Sequence, residues 1–416
     1  MGNSAQHTLQ ARALRAEFPI LVSPRAGGGA VHYLDSAATS QKPQRVLDAM
    51  DAYYRETNAN VHRGVYEMAA EATERFEAGR DAVARLVNHP REATVFTKNA
   101  TEAINLVAWA WGARELREGD EVLVTMMEHH SNTVPWQIVA SMTGAQVRFC
   151  PVTPGGEIDM DAMRSMIGGR TRMVAVVHVS NTLGTINPVE DIVAMAHEAG
   201  ALTMVDATQS VPHMPVNAAA IGSDFLAFTG HKMCGPTGIG VLAASPARLG
   251  AMEPFLGGGE MIADVTTEGS TWNDIPWKFE AGTPPIAEAV GLGEAVRFLE
   301  EIGMENIRAH EKEVAVRMLE ALDEVPGLTV YGPRDAERRG ASMSFSLDGV
   351  HPHDIGQFLD SKGVCVRAGH HCTKPLMRHL GVQSTARASA YLYTTDDDII
   401  ALRDALIACR EWFGAA

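Results

Sequence analysis

The chain has 416 residues, enough for more than one hydrophobic core, and its 46% apolar and 21% charged residues exclude gross disorder. Its formal charge of −16 argues against a general nucleic-acid binder, which needs a basic face for phosphates, but not against one small anion held by local donors. No run reaches the roughly 20 apolar residues of a membrane span.

In chain order, the opening MGNSAQHTLQARALRAEFPI reads as a short amphipathic helix without the long apolar stretch of a secretion signal, so a cytoplasmic location is expected. From residue 94, TVFTK reads as a strand, TEAINLVAWAWGARE as a helix and EVLVTMM as a strand. MVAVVHVS, ALTMVDAT, DFLAFTG and GIGVLAAS are further strands, the first two separated by helical DIVAMAHEAG. Short, nearly continuous apolar strands interleaved with helices predict an α/β fold with a mostly parallel sheet covered on both faces. Near residue 290 the rhythm changes. AEAVGLGEAVRFLEEIGMENIRAHEKEVAVRMLEALDEV is a long helical region with a glycine interruption, followed by SMSFSL, helical HDIGQFLDSKG, VCVRAG, ARASAYLY and a helix from Asp396. The expected division is an N-terminal helical segment at 1–30 packing on the small domain, a large domain at 31–290 and a smaller α+β domain at 291–416.

The five cysteines, Cys150, Cys234, Cys365, Cys372 and Cys409, are odd in number and contain no CxxC pair. Neither a disulfide framework nor a structural zinc knuckle has a template here, and each cysteine is by default a small buried hydrophobe.

FTGHKMCGPTGIG, Phe228 to Gly240, follows an apolar strand and is dense in glycine and hydroxyl residues. Alone, Lys232 within it is a turn lysine. Asp206, however, ends the apolar run ALTMV and so stands at the carboxyl end of a strand, where ligands of open α/β sheets bind. Pyridoxal phosphate needs a lysine for its aldehyde and an acid for its pyridine nitrogen. Gln209 is placed to donate to the ring's phenolic oxygen. Asn99-Ala-Thr-Glu102 adds a polar turn and a helix starting near Thr101, whose backbone N–H groups form a ready anion site. Thr101 alone reads equally as a helix cap.

TEAINLV, EHHSNTVPWQ, VSNTLGTINP, VDATQSVPH, FTGHK, FEAGTP and RAGHHC occur in this order, between about Asp35 and Tyr393. Together they resemble a SUF-type (group II) cysteine desulfurase, of the class V aminotransferase branch of fold-type I PLP-dependent transferases. FTGHK alone indicates only the superfamily; RAGHHC with EHHSN is more specific. The resemblance implies that Lys232 carries the cofactor as a Schiff base and shuttles protons. It places Asp206 at the pyridine nitrogen, Gln209 at the phenolic oxygen and His129 on the ring face. It gives the phosphate to Thr101, Thr229 (where the family often has serine) and His231, and to Thr283 from the neighbouring subunit of a homodimer.

Arg367-Ala-Gly-His-His-Cys372 sets a cation beside a thiol, and thiolate is the nucleophilic form. Three adjacent possible ligands rarely converge on one tetrahedral zinc, so the nucleophile is the favoured reading of HHC. Cys234, near Lys232, is its rival. A substrate carboxylate calls for a planar bidentate donor. By resemblance this is Arg387 in TARAS, with Arg367 close by, Asn181 beside the amino acid, and His62 and Arg63 at the entrance.

The implied activity is removal of sulfur from L-cysteine, giving L-alanine and a Cys372 persulfide that passes on for iron-sulfur cluster assembly. Selenocysteine lyase is the nearest alternative, followed by other class V PLP enzymes such as a kynureninase-like hydrolase or an aminotransferase. A non-catalytic scaffold and a metal hydrolase using the His129/His130 and His370/His371 pairs belong to other classes. His351-Pro-His353-Asp354 resembles the segment of family members that use a zinc-containing SufU-type sulfur acceptor rather than a SufE-type one. His353, with His351 second, is then the candidate ligand to the partner's zinc. Read alone, Asp354 caps the helix beginning there and His353 is an exposed helix-start residue.

Overall fold

Seven strands form the central sheet: β1 (Thr94–Thr97), β2 (Glu121–Thr125), β3 (Gln146–Cys150), β4 (Thr171–Val177), β5 (Leu202–Asp206), β6 (Phe225–Thr229) and β7 (Gly240–Ala244). Their order is β1-β7-β6-β5-β4-β2-β3, and β7 alone runs against the rest, so the mostly parallel sheet is mixed at one side. This computed structural model describes residues 10–23 and 29–414. Alternation along β4 explains why its run is almost wholly apolar: Val174 and Val176 enter one hydrophobic cluster, Met173 and Ala175 another on the opposite face.

Helix α1 (Ala100–Val107) follows β1 and continues through a π segment, Ala108–Gly112. Its N-cap is Asn99, whose side chain accepts from the Glu102 N–H at 3.0 Å, so Thr101 is not the cap and its hydroxyl is left for other partners. Gly240 makes this packing possible: a Cβ there would stand 2.4 Å from the Asn99 backbone.

Helix α2 (Ile286–Ile302) places Val296 and Leu299 in the first cluster, and the glycine interruption is Gly303, at φ 88°. Helix α3 (Met304–Asp323) then contributes Val314 and Met318 to a third cluster. That cluster backs an antiparallel sheet ordered β8-β9-β11-β10, built from β8 (Leu328–Tyr331), β9 (Ser342–Leu347), β10 (Arg367–Gly369) and β11 (Thr385–Ser389). Ala386 and Ala388 of β11 face this core, which turns Arg387 to the other side. Helices α4 (Pro352–Ser361) and α5 (Asp396–Trp412) also pack into this third cluster.

The expected N-terminal amphipathic helix is not continuous; residues 1–9 lie outside the described range. Ala11–Leu14 and Pro19–Val22 are separate short helices, because Pro19 forces Phe18 into an extended conformation. Arg15 pairs with Asp398 of α5 at 3.1 Å, and Phe18 packs edge-on against Tyr393.

Candidate active site

The chemistry-bearing side chains of the central sheet come from the carboxyl ends of its strands. Asn99 and Thr101 follow β1, His129 follows β2, Asn181 follows β4, Asp206 closes β5, Thr229 closes β6, and His231 and Lys232 lie in the turn after it. This is where open α/β sheets bind ligands. The smaller sheet supplies Arg367, Cys372 and Arg387 from the other side. These residues, with Gln209 and His231, line one cavity of about 250 Å³. Thr283 and His353 do not line it and are both exposed.

Asp206 is 4% exposed, accepts from the Thr208 N–H at 3.0 Å, and is pushed above the ordinary carboxylate range by burial. A buried carboxyl in this position fits a cationic N–H donor such as a protonated pyridine nitrogen. Gln209 donates one N–H to the Ala37 carbonyl at 2.7 Å, which keeps a second available. Lys232 is lowered to about 8, chiefly by burial and against the pull of Asp206, so its neutral amine is accessible near physiological pH.

His129 is lowered to about 3 by burial and by the nearby Lys232 charge. Its Nδ1 accepts from the Ser131 backbone N–H at 3.1 Å, which assigns the proton of the neutral ring to Nε2. The Ser131 hydroxyl lies 2.9 Å from that Nδ1 and 2.7 Å from the Thr101 hydroxyl, so one serine ties the ring residue to the anion-binding helix start. His231 Nδ1 stands 3.2 Å from the Thr39 hydroxyl, and Thr229 is buried. Acid, lysine, amide and an anion site at a helix N-terminus together match the polar groups of pyridoxal phosphate.

Arg387 is 2% exposed; it donates to the Asn181 carbonyl at 2.9 Å and to Asp35 at 3.1 Å. Its Nε and the Asn181 Oδ1 are buried without a hydrogen-bond partner, one donor and one acceptor suited to an amino-acid ligand. Cys372 sits on a turn in which it and His371 adopt left-handed conformations, φ 58° and 48°. For residues other than glycine this costs about 1–2 kcal/mol each. The turn is offset by neighbours: the His130 N–H donates to the Cys372 carbonyl and Asn181 Nδ2 to the His371 carbonyl, both at 2.8 Å. The rival Cys234 is buried outside the cavity, and burial pushes its thiol up to about 12. Within this chain His62 and Arg63 line a separate cavity with Trp277 and Pro284.

At α4 the N-cap is His351, whose Nδ1 accepts from the His353 N–H at 3.3 Å, and not Asp354. The His351 and His353 rings stack with centroids 5.5 Å apart. Sequence reasoning also missed Asp35, Ser131 and Glu128. Glu128 is buried, accepts from Thr125, Asn132 and the Val177 N–H, and is raised to about 8 by burial. Among the described residues no three His, Cys, Asp or Glu side chains converge to hold a metal ion, and no helix is long and apolar enough to cross a membrane.

The family described as aminotransferase class-V matches residues 32–402. A probable cysteine desulfurase of Streptomyces coelicolor is 51% identical over 98% of each chain. An apo cysteine desulfurase structure from Thermococcus onnurineus NA1 is 40% identical, with TM-score 0.88 over 91% of this chain and 94% of that one. The Escherichia coli cysteine desulfurase CsdA, solved as its S-sulfonic acid form, is 37% identical, with TM-score 0.89 over 97% of this chain and 98% of that one.

Proposed function

The chain belongs to the aminotransferase class-V family, and on that premise we propose that it is a pyridoxal-phosphate-dependent cysteine desulfurase of the SUF type, with Cys372 as the sulfur acceptor. The observation that carries this reading is that Cys372 enters the same cavity as Lys232, Asp206 and Arg387. An enzyme acting only at the α-carbon has no use for a thiol there.

Lys232, Asp206, Gln209, His129, Thr101, Thr229 and His231 would hold the cofactor. Pyridoxal phosphate, when bound, supplies an electron sink conjugated to the substrate's α-carbon. Arg387 and Arg367 bind the substrate carboxylate, and Asn181 presents its free Oδ1 to the amino group. Lys232 Nζ, lowered to about 8, takes the proton from the α-carbon and later returns one to carbon. Cys372 Sγ attacks the substrate sulfur as thiolate. The new S–S bond forms as the substrate C–S bond breaks, its electron pair stays on carbon, and protonation there gives L-alanine. The sum is L-cysteine plus the Cys372 thiol giving L-alanine plus the Cys372 persulfide, with no external oxidant.

The assignment is tested by borohydride reduction and peptide mapping, which should place the cofactor on Lys232, and by Cys372→Ser. That variant should still bind L-cysteine, seen as a shift in the cofactor's absorption, and form no persulfide. Sulfide release at the parent rate from Cys372→Ser would remove Cys372 as acceptor.

A homodimer is part of the proposal, with Thr283 reaching the partner's phosphate site. Thr283 is exposed, and the neighbouring surface carries the exposed apolar side chains Val65, Tyr66, Leu256 and Trp272. The Arg63–Glu260 pair, at 3.3 Å, ties together two of the segments that bear them. A SufU-type zinc protein is the proposed sulfur acceptor, met at exposed His353, with iron-sulfur cluster assembly in the cytoplasm as the use of the sulfur.

A further inference from the structure

The strained turn that presents Cys372 is held on one side by a pair of hydroxyls that the reaction itself does not use. Thr182 and Thr373 are both fully buried, with their Oγ1 atoms 3.0 Å apart. Thr373 Oγ1 also donates to the His370 carbonyl at 3.0 Å. A hydroxyl has one proton to give, so Thr373 must accept from Thr182. The result is a directed relay from the Thr182 hydroxyl through the Thr373 hydroxyl to His370, the first residue of the turn. Each bond in such a chain polarises the next. Water has no access to replace either hydroxyl.

Thr182 is anchored independently of the turn. Its carbonyl accepts from the Ser344 hydroxyl of β9 at 2.7 Å, and its N–H donates to Ser180 Oγ at 3.3 Å. It follows Asn181, whose carbonyl holds Arg387 and whose Nδ2 holds the His371 carbonyl. One short stretch of chain therefore grips the sulfur-accepting turn and the carboxylate-binding arginine together. The separation between Cys372 Sγ and a bound carboxylate is set through it.

We propose that Thr182 and Thr373 are positioning residues for Cys372, fixing the thiol relative to the substrate sulfur through this buried hydroxyl relay; the inference rests on Cys372 being the acceptor. The two bonds are not equivalent. Thr373→Val removes the hydroxyl's bond to the His370 carbonyl, leaving only the Thr373 backbone N–H on it at 2.8 Å, and strands the Thr182 hydroxyl, whereas Thr182→Val leaves both Thr373 bonds to His370 in place. The first substitution should be the more damaging.

The experiment compares Thr182→Val, Thr373→Val, the double valine variant and Thr373→Ser as holoenzymes, with Cys372→Ser alongside. It reads kcat and KM for L-cysteine, the mass-mapped rate of Cys372 alkylation by iodoacetamide, and the cofactor absorption band. Thr373→Val and the double variant should lose about tenfold in kcat with KM within about twofold, as expected when only an interaction made at the reacting atoms is lost. Alkylation of Cys372 should change by about threefold or more with the absorption band unmoved, and Thr373→Ser should restore both rates. Should Thr373→Val fail to fold, the double variant carries the test, because an apolar pair of the same shape leaves no hydroxyl stranded. Parent kcat and parent alkylation in the valine variants overturn the proposal, as does a serine variant no better than valine. Turnover at the parent rate in Cys372→Ser overturns the acceptor assignment and this inference with it. Inactive Cys372→Ser beside fully active valine variants overturns the positioning role alone.

Discussion

Arg367 and Arg387 are register partners across the antiparallel pair β10–β11, so both side chains leave the sheet on the face that lines the cavity. Among the described residues, Asp35 is the one carboxylate in ion-pair contact with either, at 3.1 Å from Arg387. Two cations against one anion leave the site short of a negative charge, which the carboxylate of an amino acid supplies.

Arg387→Lys tests that balance. The guanidinium reaches the Asn181 carbonyl and Asp35 through two nitrogens and keeps a third, Nε, unpartnered. An ammonium on a shorter fork cannot hold both partners and a carboxylate. The KM for L-cysteine and the Kd for L-alanine should rise by at least about tenfold, equivalent to about 1.4 kcal/mol. Steady-state kinetics and cofactor absorbance titration measure the two. Unchanged values would transfer the clamp to Arg367.

Lys232, Asp206 and Cys372 could be picked out because their chemistry is carried by residue type at strand ends or in a short motif, whereas His129 was placed only through the resemblance. Asp35 was missed. It is one aspartate in a small-residue stretch, and its partner Arg387 lies 352 residues away. Ser131 and the Thr182–Thr373 pair were invisible for the same reason, since hydroxyls have no role until the fold chooses their neighbours. Within the two main sheets, β3 and β8 also escaped the pattern reading. Each is at the edge of its sheet and only half-buried, so neither shows the continuous apolar run of β4 or β5.

Stability should fall steeply on the acid side. Burial lowers His178 and His310 to about 4 and His371 to about 3, from about 6.5 in the unfolded chain. Between those values the unfolded chain binds more protons, so the contribution is fully present above pH 6.5 and is lost as pH falls toward 4. Each histidine adds a slope of up to about 1.4 kcal/mol per pH unit. Buried Asp35 and Asp206, both raised, act in the opposite sense. His178→Gln isolates one histidine, since its Nδ1 has no hydrogen-bond partner. Denaturant unfolding from pH 7.5 to 5 should show a shallower dependence in the variant; equal slopes would mean His178 takes up protons in the folded protein as it does in the unfolded chain.

Thr283 is exposed and outside the cavity of its own chain, which a residue serving the partner's site should be. A Thr283→Ala variant and a Lys232→Ala variant, each impaired alone, should regain activity after subunit exchange, because one site of the hybrid then has both an intact lysine and an intact partner threonine. The rate per hybrid dimer should approach about half that of the parent, one good site of two, and an equal mixture after random exchange should recover about a quarter. Confirmed exchange by native mass spectrometry without recovery would confine Thr283 to a structural role.

The last prediction concerns where the sulfur leaves. His353 is exposed at the start of α4, its N–H taken by His351 Nδ1 and its ring stacked on the His351 ring. That backbone bond fixes the entry to the helix and leaves the His353 imidazole in solvent, free to donate a lone pair to a metal outside the chain. A zinc-bound thiolate is held down as a nucleophile by the metal, and a neutral imidazole that takes its place on zinc releases it. With a zinc-loaded SufU-type partner, the parent enzyme should therefore turn over L-cysteine faster, and His353→Ala should lose most of that stimulation while keeping its rate without the partner. His351→Ala removes the cap instead, at a cost of about 0.5–2 kcal/mol in helix stability. It should lower the unfolding midpoint, which His353→Ala should leave near the parent value. Equal stimulation of the parent and His353→Ala would take the histidine out of the transfer. A parent that responds only to a SufE-type acceptor would replace the zinc exchange with direct thiol attack on the Cys372 persulfide.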